Sequence, residues 1–433
     1  MRNSPFWWIL IGFMILLDLY VFQALKVLTQ SAGQKTRLTI HVCYWSISVL
    51  AVIILVILPY LQFAQQHRLL RNTFFAIIVG LFFSKIIASI FFLVDDLRRA
   101  IQWVAGKLFF QGTEGETMEE GVRISRSAFL SWAGMLVGGG LFGSLIYGFN
   151  NKYRYQVHRM KFQFANLPAA FRGLKIVQIS DIHSGSFTDK HAVTRGVKKV
   201  IKEKPDLVLF TGDLINNLAE EMDNYMDVFR QVTSPMGVYS ILGNHDYGDY
   251  VSWPDRNEEH SKNEKQAGKH LLTPMQQANL DRLKNIHGEL GWRLLLDEHV
   301  ALEKGGDKIA LIGVQNWSSK ARFPKYGDLS RAYQGSQNYP FKILMSHDPS
   351  HWDAQVRPLY PDIDLMLAGH THGMQFGVEI PGFRWSPVQY IYKEWAGLYE
   401  DHKQKLYVNR GYGFIGYPGR VGILPEITVI ELI

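Results

Sequence analysis

The sequence predicts an α/β chain of two unlike parts: four membrane-spanning helices in residues 1–150, then an α/β domain over 151–433. Three observations carry this reading. Four apolar stretches of near spanning length fall before residue 150, whereas from Gly173 onward short β-branched runs each close on a polar cluster. Between the first two runs, residues 189–204 (DKHAVTRGVKKVIKEK) carry helical spacing ahead of Pro205, which makes a strand, helix, strand unit.

The composition of the 433 residues supports the same division. Lys plus Arg is 46 against 39 for Asp plus Glu, a net charge of +7, with 47% hydrophobic and 20% charged residues. That balance excludes a disordered chain and a polyanion-wrapping tail. The single cysteine, Cys43, lies in an apolar run, so one chain can build neither a disulfide framework nor a thiolate metal site. A metal would have to be held by His, Asp, Glu or Asn.

The apolar stretches are 5–25, 40–63, 73–94 and 127–149, each long enough for the ~30 Å hydrocarbon layer at about 1.5 Å per residue. The first is not expected to be a cleavable signal: its only basic lead residue is Arg2, its apolar part is long, and no small-residue cleavage site follows. Asp18 and Lys85 interrupt the first and third stretches. A charge in hydrocarbon is costly, so the two are expected to pair between helices, a proton or ion path being the alternative. Seven basic residues gather in the loops of one side and eight on the other, which leaves the orientation open. Residues 95–111 (DDLRRAIQWVAGKLFFQ) carry helical spacing and are expected to form an interfacial helix, with GTEGETMEEG as a solvated loop after it.

In the second part, KIVQIS (175–180) runs into Asp181-Ile182-His183, and DLVLF (206–210) into Thr211-Gly212-Asp213. GVYSIL (237–242) meets Gly243-Asn244-His245-Asp246, and FKILMS (341–346) meets His347. DLMLA (364–368) ends at Gly369-His370-Thr371-His372, while KIALIGV (308–314) alone ends without such a group. Runs without alternation suit strands covered on both faces, and open α/β sheets build their sites at strand carboxyl ends. Singly, each cluster reads as ordinary turn chemistry. Together, five of the fifteen histidines fall at strand ends beside Asp181, Asp213 and Asn244. Oxygen and imidazole donors without sulfur are what a pair of divalent cations such as manganese, iron or zinc accepts. Asp181/His183 and His370/His372 are each two residues apart, so each pair can point to one side.

In this order, the motifs Asp-x-His, Gly-Asp, Gly-Asn-His-Asp, a lone His and Gly-His-x-His resemble the calcineurin-like metallophosphoesterases, from about Lys175 to the C-terminus. The resemblance implies a four-layer α/β/β/α sandwich holding two metals. Asp181, His183 and His372 would hold one, Asn244, His347 and His370 the other, and Asp213 would bridge them. His245 would bind no metal and would act as the catalytic residue beside the scissile phosphate, attack coming from a hydroxide that bridges the metals. The chain departs from the Gly-Asp-x-x-Asp-Arg pattern at Asn216 and Asn217, and has Asp246 where phosphoprotein phosphatases carry Glu. Both departures disfavour a protein phosphatase.

The ending Arg410-Gly411-Tyr412-Gly413 … Pro425-Glu426-Ile427 resembles the bacterial membrane-associated branch, which includes broad phosphodiesterases and hydrolases of UDP-2,3-diacylglucosamine. The expectation is therefore an integral protein of a bacterial inner membrane, with the side of the catalytic domain undecided. It would cleave phosphate ester or pyrophosphate bonds in a lipid-linked or otherwise amphiphilic compound. A general phosphodiesterase or nuclease is the first alternative, although no basic stripe appears, so nucleic acid is an unfavoured partner. A non-catalytic membrane sensor or channel with a metal-binding domain is the second, and the complete set of metal and acid positions speaks against it.

Three neighbouring features are open on sequence. Asp206, Asp246 and Asp348 suit either imidazole orientation or plain capping. Residues 247–290 read as a lid or as a solvated loop. The aromatic and basic segments 316–326 and 376–399 suit a membrane interface or the core.

Overall fold

The computed structural model describes residues 5–58, 68–109, 126–257, 260, 264 and 270–433. It comprises two compact units, Met1–Tyr147 and Gly148–Ile433.

The first unit is built from α1 (Pro5–Thr29), α2 (Gln34–Ile57), α3 (Arg68–Phe109) and α4 (Arg126–Gly148). All four are long and apolar enough to cross a membrane. The segment 95–111, expected as a separate interfacial helix, instead continues α3 without a break to Phe109; residues 110–111 and the acidic loop at 112–121 lie outside the described residues. The physical reason is local. No Pro or Gly falls between Asp95 and Ala105, and Asp95 pairs with Arg98 at 2.8 Å and Arg99 at 3.2 Å, one turn on. The resulting helix of 42 residues is ~63 Å long, about twice the hydrocarbon thickness. Ser127 ties α4 to it by donating to Asp95 at 2.6 Å. Close packing needs the glycine at 138, because a Cβ there would stand 2.8 Å from the Ser84 carbonyl of α3.

Asp18 and Lys85 meet, as the pairing alternative expects. Lys85 donates to Asp18 and, at 2.9 Å, to Ser48 Oγ, which in turn donates to Asp18 Oδ1 at 2.8 Å. Tyr44 adds a hydrogen bond of 3.1 Å to the same carboxylate oxygen. The cluster is buried and joins α1, α2 and α3, so its energy is that of an ion pair with its remaining valences satisfied by hydroxyls.

The second unit holds two six-stranded sheets. The first runs in the order β1 (Gln156–Phe162), β14 (Glu426–Leu432), β2 (Lys175–Ile179), β3 (Leu207–Phe210), β4 (Val238–Ser240), β5 (Trp292–Leu294). The second runs β12 (Gly397–Asp401), β13 (Gln404–Val408), β9 (Leu365–Ala368), β8 (Lys342–Met345), β7 (Asp307–Gly313), β6 (Glu298–Lys304). A hairpin of β10 (Val378–Ile380) and β11 (Phe383–Trp385) stands apart. Strands β2 to β5 are mutually parallel, as are β7, β8, β9 and β13.

The period-two geometry of a strand divides its apolar residues between two cores. Ile176, Leu207 and Leu209 face Leu311, Ile343 and Leu365 between the sheets. Their chain neighbours Val177, Ile179, Val208 and Phe210 pack outward against α5 (Lys190–Lys202) and α6 (Pro274–Glu289). On the far side, Ile312, Leu344 and Met366 pack on Trp352 and Val356. These layers form the four-layer α/β/β/α sandwich that the family resemblance implies. Helix α5 starts where Asp189 caps the Ala192 amide at 2.9 Å.

Lys85→Met should leave Asp18 buried without its counter-charge and cost about 3 kcal/mol, and adding Asp18→Asn should recover most of that loss. Thermal midpoints of the two variants in detergent check the expectation. Equal midpoints would remove the pair from what holds the helices together.

Candidate metal centre

The carboxyl ends of β2, β3, β4, β8 and β9 deliver one motif each, and at those ends the backbone leaves its ordinary conformations. Asp181, His183, Asp213, His370 and His372 all have positive φ, between 49° and 73°. They are five of the ten non-glycine residues that do so among the described residues. Asp and His tolerate this region better than branched residues, yet each such position costs on the order of 1 kcal/mol. The turns are also too tight for a side chain at Gly369, where a Cβ would stand 2.2 Å from Asp181 Oδ2.

These turns bring the predicted residues together in two groups. Asp181, His183 and His372 form one, and Asp213, His347 and His370 the other, with the potential ligand atoms of each group within 4.8 Å of one another. Asp213 Oδ2 lies 3.5 Å from His183 Nε2 and 3.1 Å from His347 Nε2, so it reaches both. Asn244 joins the second group, its Oδ1 standing 2.7 Å from His370 Nδ1.

The donor set fits cations. His183 Nε2 and His372 Nε2 face each other at 3.0 Å with Asp181 Oδ1 3.3 Å from the latter. His347 donates Nδ1–H to the Thr211 carbonyl at 2.7 Å, which aims Nε2 at Asp213 Oδ2, 3.1 Å away, as the nitrogen that a cation would meet in place of a proton. Burial holds His183 and His372 below the usual imidazole range and pushes His370 down to about 4. Burial also opposes ionisation of Asp181 and Asp213, but the imidazoles around them outweigh it and hold both carboxyls well below their usual range. In His347 the same contest runs the other way: burial is overcome by Asp213 and Asp181, which push it up to about 10. Two ionised carboxylates among imidazoles attract positive charge to this point.

Of the three nearby carboxylates, each has a distinct role. Asp246 accepts the backbone N–H groups of Asp213, Leu214 and Gly243 at 2.8 to 2.9 Å, so it shapes the ligand-bearing turns; burial and Asp213 push it up to about 7. Asp348 lies 3.5 Å from His370 Nε2, which also meets the Tyr392 hydroxyl at 2.8 Å. Asp206 caps the start of β2 through the Lys175 amide and touches no site residue.

His245 stands at the edge, half-buried, and donates Nδ1–H to the Asn216 carbonyl at 2.8 Å. Its ring lies 4.9 Å from His183 and 4.3 Å from Tyr250. His245 and Tyr250 open on a cavity of about 480 Å³ that runs from His183, Asp213 and His370 to the exposed side chains Met374 and Ile391. The segment 247–290 contributes Tyr250 to that cavity. Residues 258–259, 261–263 and 265–269, within the segment expected as a lid or loop, lie outside the described residues.

Two supports escape sequence reasoning. Arg420 is wholly buried, places Nη2 3.2 Å from His372 Nδ1 and donates to the carbonyls of Arg410 and Gly413. The Arg410 to Gly413 stretch is held by a buried Arg410–Glu426 ion pair of 2.6 Å, and the amides of Tyr412 and Gly413 bond the carbonyls of Ser180 and Asp181. Only the latter motif left a trace in the sequence, as the paired Arg-Gly-Tyr-Gly and Pro-Glu-Ile.

Two family patterns match the chain: "Probable Calcineurin-like phosphoesterase, transmembrane domain" over residues 1–152 and "Calcineurin-like phosphoesterase" over 174–374. A "Transmembrane protein with metallophosphoesterase domain" from Danio rerio is 30% identical over 61% of this chain, which spans only 54% of that protein's length. The "Uncharacterized metallophosphoesterase YkuE" of Bacillus subtilis is 29% identical over 72% of this chain and 98% of its own. The "UDP-2,3-diacylglucosamine pyrophosphatase LpxG" of Chlamydia muridarum is 27% identical over 59% of this chain and 81% of its own. With its motifs, its sandwich and both patterns in agreement, the chain belongs to the calcineurin-like phosphoesterases that carry a four-helix transmembrane domain.

Proposed function

We propose that this membrane protein is a dinuclear metal-dependent phosphohydrolase. The observation that carries the reading is the convergence of six potential ligands, from strand ends spread over nearly two hundred positions, in two adjoining groups. In the proposed assignment Asp181, His183 and His372 hold one divalent cation, Asn244, His347 and His370 hold the other, and Asp213 serves both. Manganese, iron and zinc all suit these donors. When bound, such a pair neutralises charge on a phosphoryl group and makes a nucleophile available at neutral pH.

The chain's own residues supply the rest. Thr211 fixes the tautomer of His347, Asp246 holds the turn at Asp213, and Asp348 with Tyr392 orients His370. Asn216 holds the proton on Nδ1 of His245, so Nε2 is its nitrogen for the substrate, and we assign to the doubly protonated ring the transfer of its Nε2 proton to the departing oxygen, which leaves the neutral Nδ1–H form.

The substrate is, in this reading, amphiphilic: a lipid-linked phosphate or pyrophosphate such as UDP-2,3-diacylglucosamine, cleaved at a bacterial inner membrane. The activity for which the Chlamydia relative is named supports the class. So does the outer end of the cavity. Met374 and Ile391 are exposed there, and the hairpin β10–β11 nearby in sequence presents Ile380 and Phe383 at more than half exposure. In the aromatic segment 376–399, Tyr392 and Trp395 are buried while Phe383 and Tyr390 are exposed.

His245→Ala should reduce kcat on bis(p-nitrophenyl) phosphate by about 10²-fold or more with both metals retained, whereas Asp213→Ala should lose metal and activity together. Metal analysis after dialysis, alongside the rate, checks both; equal metal content in the two variants would overturn the assignment. The paired change Ile380→Asp, Phe383→Asp should lower kcat/KM on a lipid-linked pyrophosphate several-fold and leave the short diester within twofold. Parallel losses on both compounds would remove the apolar hairpin from substrate recognition.

A further inference from the structure

The loop at 316–327 (NWSSKARFPKYG) brings three cations to the catalytic unit, Lys320, Arg322 and Lys325, and none has a carboxylate within 4.0 Å among the described residues. Each lies over an aromatic ring instead: Lys320 over Tyr392 at 5.3 Å, Arg322 over Phe323 at 4.6 Å, Lys325 over Trp317 at 4.4 Å. The loop is held in place. Tyr326 stacks on Tyr247 at 3.6 Å and donates to Asp249, and its own amide and that of Gly327 bond the Asn316 carbonyl.

Arg322 is the member that lines the cavity of the metal centre. Two short routes connect it to His370. Phe323, over whose ring Arg322 lies, packs edge-on against the His370 ring at 4.9 Å, and Tyr392, which lines the same cavity as Arg322, meets His370 Nε2 at 2.8 Å. A guanidinium in this place is a preorganised fork one side chain away from the proposed second cation. The fork geometry matches the non-bridging oxygens of a phosphate.

A cation pair serves one phosphoryl group. In a diphosphate the second phosphorus is joined to the first through a single oxygen, so its charge falls just beyond the metals and needs a partner of its own. We infer that the 316–327 loop forms a subsite for that second phosphoryl group, with Arg322 in contact with it, and that the enzyme thereby prefers diphosphate diesters over esters with a single phosphoryl group. The inference rests on the phosphohydrolase reading above and names the groups by which that site would choose.

The test uses the full chain in detergent with manganese, and compares wild type, Arg322→Gln and Arg322→Lys on three compounds: bis(p-nitrophenyl) phosphate, a nucleoside diphosphate sugar and a lipid-linked pyrophosphate. On each diphosphate diester that wild type cleaves, Arg322→Gln should lower kcat/KM by ~10- to 100-fold, mainly through KM, and Arg322→Lys should recover part of it. On bis(p-nitrophenyl) phosphate both variants should stay within twofold. Equal losses on all compounds, or no loss on the diphosphates, would overturn the subsite. Wild-type activity on bis(p-nitrophenyl) phosphate with none on either diphosphate would also overturn it while leaving the hydrolase standing. Inactivity of the metal-loaded wild type on all three would overturn the hydrolase itself.

Discussion

Two aspartates, Asp181 and Asp213, are buried side by side with essentially no contact with water, and the rest of the catalytic unit follows from what that burial demands. A carboxylate removed from water is tolerable only if positive charge and hydrogen-bond donors replace its hydration. Here the amide of His370 bonds Asp181, the amide of His245 bonds Asp213, and imidazoles occupy the remaining directions. All four rings feel both carboxylates, but only at His347, whose ring also meets Asp213 directly, do they outweigh burial and push it upward; at His183, His370 and His372 burial wins and pushes them down. A place that draws a proton this strongly is a place that draws a cation.

Such an arrangement is expensive in backbone conformation. Five of the candidate ligands sit at positive φ, and conformations of that kind persist only where the surrounding structure over-determines them. The two sheets provide that determination. The strands feeding the site have apolar residues on both faces, one set in the core between the sheets and the other under the helices. Rigid strands ending at one rim hold the turns within the few tenths of an ångström that a shared cation requires, a placement that loops alone would not maintain.

Much of this was legible because it depends on side-chain type and strand period. The strands at 175–179, 207–210, 342–345 and 365–368 and the polar groups after them stand where short β-branched runs end in Asp, Asn or His. The pairing of Asp18 with Lys85 followed from the cost of either charge alone in an apolar environment. What periodicity could not show is long-range order. Strand β14 inserts between β1 and β2, so the C-terminal run Glu426–Leu432 lies beside residues 156–162 and 175–178 through contacts more than two hundred residues apart in sequence. The unbroken course of α3 was hidden for a related reason: the charges at 95–99 read as an end to the apolar span, yet they pair along the helix and continue it.

The sharpest case is the missing acid. The sequence has Asn216 where the Gly-Asp-x-x-Asp-Arg pattern has its second Asp, and a reading confined to side chains names no partner for His245. The structure supplies the partner from the main chain, as the carbonyl of Asn216, which is one of the two residues whose identity had marked the departure. A carbonyl can only accept, so it fixes the Nδ1–H tautomer and the ring direction as firmly as a carboxylate would, without placing another negative charge beside Asp213 and its neighbours. That difference matters in a cavity meant for an anion. With fewer fixed negative charges near the imidazole, repulsion of an incoming phosphate is smaller. The departure from the family pattern therefore removes a charge while keeping the orientation of the ring.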